Sequence, residues 1–434
     1  MEEPTSTSEG FPPQMPSTTA DSLAVNSQRY PIVNYPVSVV LPAAGSGERT
    51  GLRTPKQFCS ILGRPLISYT IHAFERILWI DTIVVVVPKE SHCLMEDIIL
   101  KYNHTKVKIV DGGSTRHRSI FNGLRAFSEQ GTGFNLQKPE VVIIHDAVRP
   151  FLEEDFLHKI TVCAKDHGVC GAIRPLVSTV VAATTEGKLD HTLERARYRA
   201  SEMPQGFIYD IIYEAYQKCS EAEFEFGTEC LDLALRHCGV SAKLMEGPPT
   251  LWKVTYSQDV VSAEAIIKES LSQYAYIIAG QCMETQHLSN LMKNGLTEAG
   301  MVVDVVPSTE KIRNLSTSRN FIKLSMCWPN LAEIKEMTSG SEDTKDFALY
   351  PVIICWVYLN VSDCVSTQSE NDEAPNVMTL AEDVQNRNIL LYCVQVCYNK
   401  PCTLWERRVK KVCEITAGLI RQRSSSLIGQ ILQA

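Results

Sequence analysis

The sequence predicts an α/β protein in two units: a mostly parallel sheet with helices on both faces, then a second, C-terminal α/β domain. Three observations carry this. Short runs of β-branched residues alternate with helical segments from Pro36 onward, the alternation resumes after Tyr274, and glycine-rich turns follow the strands of the first unit. At 434 residues with 44% hydrophobic content, the chain is long enough for two or more packed cores.

Residues 1–34 are rich in Ser, Thr, Pro and Glu and lack apolar periodicity, so a disordered leader is expected there. In residues 35–272, the runs Val37–Leu41, Ile83–Val87, Val107–Val110 and Val141–Ile144 read as strands buried on both faces. Gly171 to Ala183 reads as strand-like, and the polar stretch after it is too long for a tight turn, which suggests a protruding arm at about 176–202. Helices are expected at Phe207–Cys219, Glu229–Cys238 and from Asp259 to about Ser270, with a strand at Leu251–Thr255. Residues 273–434 form the second unit, with strands at Tyr276–Ala279, Met301–Val306, Val352–Leu359 and Ile389–Cys397, a helix at Leu288–Glu298 and an acidic loop near 366–376. No G-x-G-x-x-G follows its first strand, so Gly280 alone makes no dinucleotide site.

The net charge of -8 provides no overall field for nucleic acid or an anionic membrane, so phosphate binding must come from local basic clusters. No stretch approaches the roughly 20 apolar residues needed to cross a bilayer, and no secretory leader pattern opens the chain. The fifteen cysteines are scattered through apolar runs, which suits reduced core thiols in the cytosol. Cys393, Cys397, Cys402 and Cys413 contain no CxxC pair and read as core residues rather than a zinc site.

Four segments carry candidate chemistry. After Val37–Leu41 come Pro42, Ala43, Ala44, Gly45, Ser46, Gly47, Glu48 and Arg49, and then Pro55-Lys56-Gln57. Small residues at a strand's carboxyl end let backbone N–H groups approach a polyphosphate, and Arg49, Arg53 and Lys56 add cations; glycines alone would relieve only a tight turn. Gly113, Ser114, Arg116 and Ser119 open a helix after Val107–Val110, where backbone and hydroxyl groups can read a base edge; a helix cap is the alternative role for Ser119. Asp146 ends the strand Val141–Ile144, where a carboxylate either holds Mg²⁺ or caps the next turn. Lys253 stands in an apolar run and either meets an anion or extends to solvent.

These segments, A-A-G-x-G-x-R with P-K-Q, G-G-x-x-R-x-x-S, H-D-A-x-R-P and a lysine followed by Val-Thr, occur in this order over residues 36 to 270. In that order they resemble the cytidylyltransferases that act on 2-C-methyl-erythritol 4-phosphate or ribitol 5-phosphate. The resemblance implies a Rossmann-like nucleotidyltransferase sheet with a dimerisation arm, CTP and a pentitol phosphate as substrates, and a homodimer. It implies catalytic roles for Arg49, Lys56 and Lys253, nucleotide contacts from the first loop and from Gly113, Ser114, Arg116 and Ser119, and Mg²⁺ on Asp146. It also implies acceptor contacts from Arg149, Thr179, Glu194, Arg195 and Thr228. The extra C-terminal unit points to the ribitol 5-phosphate branch, and so to CDP-ribitol for the O-mannosyl glycan of α-dystroglycan. Two positions depart from the pattern. Thr250 replaces a frequent acidic residue, and Met203 replaces a frequent threonine before Pro204-Gln205.

Overall fold

The computed structural model describes residues 32–45, 54–128, 136–306, 319–338, 350–360, 376–398 and 403–434. The leader up to residue 31, Ser46, Gly47, Arg49 and Arg53 of the first loop, loop residues 366–375 and Cys402 lie outside them.

The first sheet has seven strands: β1 (Val37–Pro42), β2 (Thr82–Val87), β3 (Val107–Asp111), β4 (Val141–Ile144), β5 (Val169–Pro175), β6 (Arg199–Ile208) and β7 (Lys243–Glu246). Their order is β7-β5-β6-β4-β1-β2-β3. All pairings are parallel except those of β6, which runs against both β4 and β5. β1, β2 and β4 are apolar runs with almost every residue buried, as strands covered on both faces require, whereas β3, expected to be buried likewise, is the edge strand and buries only Val107 and Val110 while Lys108 is exposed. One face packs on the helices Leu66–Glu75 and Glu154–His167, the other on Arg116–Arg125, Tyr209–Gln217 and Cys230–Cys238. The chain winds outward from β1 in opposite directions toward β2 and β4. The crevice beyond the carboxyl ends of β1 and β4 is therefore the switch point at which such sheets bind ligands.

Three expected elements differ. The helix expected from Phe207 begins at Tyr209, because Phe207 and Ile208 finish β6, a strand without a clean alternating pattern. Pro204 sits within β6 where the register shifts between Ser201 and Gln205, so the missing N–H falls at the irregularity. The strand-like stretch from Gly171 is interrupted: β5 ends at Pro175 and strand structure resumes at Val181–Ala183, which pairs with Leu189–Thr192 as a separate two-stranded arm. Leu251–Thr255 is not a strand. Pro248 and Pro249 lead into a 3-10 turn over Pro249–Leu251, and the extended segment that follows makes one sheet-like bond, Val254 N to Val148 O at 3.1 Å.

The second sheet is parallel throughout, with β8 (Tyr274–Ala279), β9 (Val302–Val306), β10 (Asn320–Ser325), β11 (Val352–Asn360), β12 (Ile389–Cys397) and β13 (Ile431–Gln433) in the order β9-β8-β10-β11-β12-β13. Cys355, Cys393 and Cys413 are buried core thiols in this unit. The helix Ser257–Leu271 joins the two sheets, and Asn320 and Arg423 of the second unit both bond to the Leu271 carbonyl at its end.

Candidate active site

A cavity of about 500 Å³ opens at the switch point. Pro42, Ala43, Ala44 and Gly45 form one wall, held because the Gln57 amide donates to the carbonyls of Ala43 (2.7 Å) and Gly45 (3.1 Å). Gln57 is buried in the short turn Lys56–Phe58, so the same tie brings Lys56 to the cavity. Sequence reading gave Gln57 no separate role; its structural work depends on where the chain returns to the loop.

Gly113, Ser114, Thr115, Arg116 and Ser119 form the facing wall. Thr115, rather than Ser119, is the N-cap of the helix Arg116–Arg125; its hydroxyl accepts from Arg118 N and donates to Phe224 O at 2.6 Å. The Ser119 hydroxyl accepts from Gly113 N (3.1 Å) and donates to Thr115 O (2.9 Å), which folds the turn back onto the helix. This fold leaves no space for a side chain at Gly113, where a Cβ would stand 2.5 Å from Arg118 Cβ. At Gly112 a Cβ would stand 2.6 Å from Ala44 Cβ, so glycine there lets the two walls meet.

Asp146 forms the floor. Its Oδ2 accepts from Arg149 Nε at 2.9 Å and lies 3.1 Å from Lys253 Nζ, while Oδ1 lies 3.5 Å from Arg116 Nη2. Burial alone would raise this carboxyl, but Arg116, Lys253 and Arg149 outweigh it and hold it well below the usual carboxylate range. Arg149 does not line the cavity. It lies beneath Asp146, also bonded to Glu202 and to the Leu251 carbonyl, and so ties β4, β6 and the Lys253 segment together. Glu202 was missed from the sequence because nothing marks an acidic residue three before Gln205 as a partner for an arginine on another strand. Among the described residues lining the cavity, one carboxylate stands against Lys56, Arg116 and Lys253, a balance that favours a polyanion.

The structure thus gathers Pro42, Ala43, Ala44, Gly45, Lys56, Gly113, Ser114, Arg116, Ser119, Asp146 and Lys253 around one cavity. Thr179, Glu194, Arg195 and Thr228 are exposed and do not line it. Thr179 lies in the break between β5 and the arm, not in a strand, and Arg195 donates to Val177 O at 2.7 Å within the arm.

Two buried imidazoles support the site from behind. His145 contacts Arg149 O at 3.1 Å, and His117 contacts the Tyr216 hydroxyl at 2.7 Å. Burial pushes both from the ordinary 6.5 down to about 4, and Arg116 adds to the effect on His117. The unfolded chain therefore takes up protons at a pH where the folded one does not. Stability should be complete above pH 6.5 and decline toward pH 4, by up to about 1.4 kcal/mol per pH unit for each histidine. Urea midpoints at a series of pH values check this; a midpoint constant from pH 7 to pH 5 would contradict it.

A family model described as 2-C-methyl-D-erythritol 4-phosphate cytidylyltransferase matches residues 37–269, and one described as D-ribitol-5-phosphate cytidylyltransferase C-terminal domain matches residues 273–413. The chain is 46% identical over 407 residues to the D-ribitol-5-phosphate cytidylyltransferase of Homo sapiens, covering 92% of this chain and 90% of that one. The chain belongs to the D-ribitol-5-phosphate cytidylyltransferase family. The Xenopus tropicalis member is 46% identical, with 92% and 97% of the two chains covered. The 2-C-methyl-D-erythritol 4-phosphate cytidylyltransferase of Syntrophus aciditrophicus is 35% identical, covering 54% of this chain and 96% of its own, which corresponds to the first unit alone. Among the described residues, no helix is long and apolar enough to cross a membrane.

Proposed function

We propose that this protein transfers the cytidylyl group of CTP to D-ribitol 5-phosphate, releasing pyrophosphate and forming CDP-ribitol. The observation that carries the reading is the convergence of Lys56, Arg116 and Lys253 around one ionised carboxylate at the switch point. An acceptor phosphate oxygen forms a bond to the α-phosphorus as the bond to the bridging oxygen of the β-phosphate breaks. Phosphate monoesters are largely dianionic near neutral pH, so the acceptor needs no general base. Lys56 and Lys253, with Arg49 from the first loop, stabilise the charge that develops on the phosphate oxygens. The walls at Gly45 and Gly113 receive the triphosphate and the cytosine.

Asp146 suits Mg²⁺: it is ionised, and among the described residues its Oδ1 meets Arg116 alone, at 3.5 Å, which leaves a hard oxygen for the ion. Thr250 brings no second carboxylate and is bonded to Glu153 at 3.2 Å, so the remaining ligands would be phosphate oxygens and water. Mg²⁺ bound there supplies charge neutralisation during transfer.

The arm supports a homodimer. Val177, Val181, Leu189 and Tyr198 are exposed on it, and Thr179, Glu194 and Arg195 lie with them outside the cavity, where a partner subunit's acceptor side can be completed. Free cysteines, several of them buried, suit the cytosol. On the family resemblance, CDP-ribitol made here serves the O-mannosyl glycan of α-dystroglycan.

The test is pyrophosphate release by the full chain with CTP, Mg²⁺ and either ribitol 5-phosphate or 2-C-methyl-erythritol 4-phosphate. Release should depend on all three components and be faster with ribitol 5-phosphate. Faster turnover of the branched acceptor would reassign the substrate. No release with either acceptor would leave a non-catalytic binding role.

A further inference from the structure

We infer that a second polar cavity, between the two units, is an effector site for a phosphorylated polyol. The cavity, about 770 Å³, is lined from the first unit by Ser60, Leu62 and Gly63 of a small hairpin, Lys101, and Lys268 with Glu264 on the joining helix. Asn388, Gln385, Arg423, Ser424 and Ser425 line it from the second.

Charge comes first. Lys101, Lys268 and Arg423 face one carboxylate, Glu264, in a chain whose net charge is -8, so this cationic concavity is local and selects an anion. Lys268 is bonded to Glu264 at 2.6 Å, which leaves Lys101 and Arg423 as the excess. Arg423 is 4% exposed and spans the junction, donating to Pro351 O (2.8 Å), Leu271 O (3.1 Å) and Asn320 Oδ1, and its Nε has no partner among the described residues. Hydroxyls and amides make up much of the rest, and among the described residues lining the cavity none is aromatic. That set matches the hydroxyls of a polyol rather than a stacked base.

Backbone conformation points to the same place. Among the described residues, four non-glycine residues hold a left-handed φ: Leu62 (50°), Asn103 (50°), Asn388 (60°) and Arg423 (50°). Three of the four line this cavity. Such conformations are disfavoured and gather where a ligand site requires them.

The cavity also touches the segments that carry two lysines of the candidate active site. The hairpin Ser60–Pro65 follows the turn Lys56–Phe58, and the helix Ser257–Leu271 starts four residues after Lys253. A ligand gripping both segments changes how Lys56 and Lys253 meet a triphosphate, and by linkage CTP changes the ligand's affinity equally. This coupling rests on the CTP reading above, whereas binding itself does not.

The experiment is calorimetry of the full chain with glucose 6-phosphate and inorganic phosphate as probes and glucose as the neutral control. It is run on the natural protein, on Lys56→Ala, and on the double variant Lys101→Ala with Lys268→Ala. We expect one equivalent of glucose 6-phosphate bound, tighter than phosphate, with glucose silent. Affinity should fall at least about tenfold in the double variant and persist in Lys56→Ala. A saturating probe should shift CTP affinity in the natural protein but not in the double variant. Absence of binding by either phosphate probe, or binding lost in Lys56→Ala and kept in the double variant, overturns the site. Probe binding with CTP affinity unchanged, in a protein that does bind CTP, overturns its role as an effector site.

Discussion

Asp146→Asn is expected to lower kcat for pyrophosphate release by about 10²–10³ and to destabilise the fold by about 3 kcal/mol. Asparagine keeps the shape but removes the charge that Arg149, Lys253 and Arg116 all approach within 3.5 Å. Arg149 keeps Glu202 as a counter-charge, whereas the half-buried Arg116 and Lys253 lose the one that Asp146 gives them, and their partial desolvation is no longer offset. The same change removes the hard oxygen proposed to hold Mg²⁺. Paired measurements of kcat and urea midpoint check both effects, and a variant that turns over like the natural protein would show that Asp146 is purely structural.

Lys253→Ala is expected to separate those two effects. Its ammonium lines the cavity at the end of an extended segment held by Val254 N bonded to Val148 O, so removing it leaves Asp146 still paired with Arg149 and Arg116. Stability should stay within about 1 kcal/mol of the natural protein, as for a partly exposed ion pair. Turnover should fall by about 10²–10³, in kcat more than in KM for CTP, if the lysine acts on charge that grows in the transition state. A rise in KM alone would instead make it a binding group for the ground state.

Much of this arrangement is legible in the chain because chemistry and local pattern coincide. Thr82–Val87 and Val141–Ile144 are continuous β-branched runs and Val37–Pro42 is a valine-rich one, and a run of that kind suits a strand covered on both faces. The first loop and Asp146 follow such strands directly, so motif and location are readable together there. β6 was not readable, since its ten residues include Ser, Glu, Pro and Gly and are strand only because β4 and β5 flank them. Lys253 was assigned to a strand on the strength of apolar neighbours, but Pro248-Pro249 and the lack of a flanking strand leave that segment extended and almost unpaired. The cage around Asp146 draws Arg116, Arg149 and Lys253 from three separate segments, and Glu202 joins it through Arg149 from a fourth. Such a convergence is tertiary information, and no spacing along the chain encodes it.

The cavity at the β1–β4 switch point is proposed as a CTP site. Calorimetric titration of the full chain with CTP, UTP, ATP and GTP in the presence of Mg²⁺, repeated on Lys56→Ala, tests it most directly. CTP should bind with at least about tenfold preference over the other three and lose at least about tenfold in affinity in the variant, each corresponding to about 1.4 kcal/mol. Equal affinity for all four nucleotides, or CTP binding unchanged by Lys56→Ala, would contradict it.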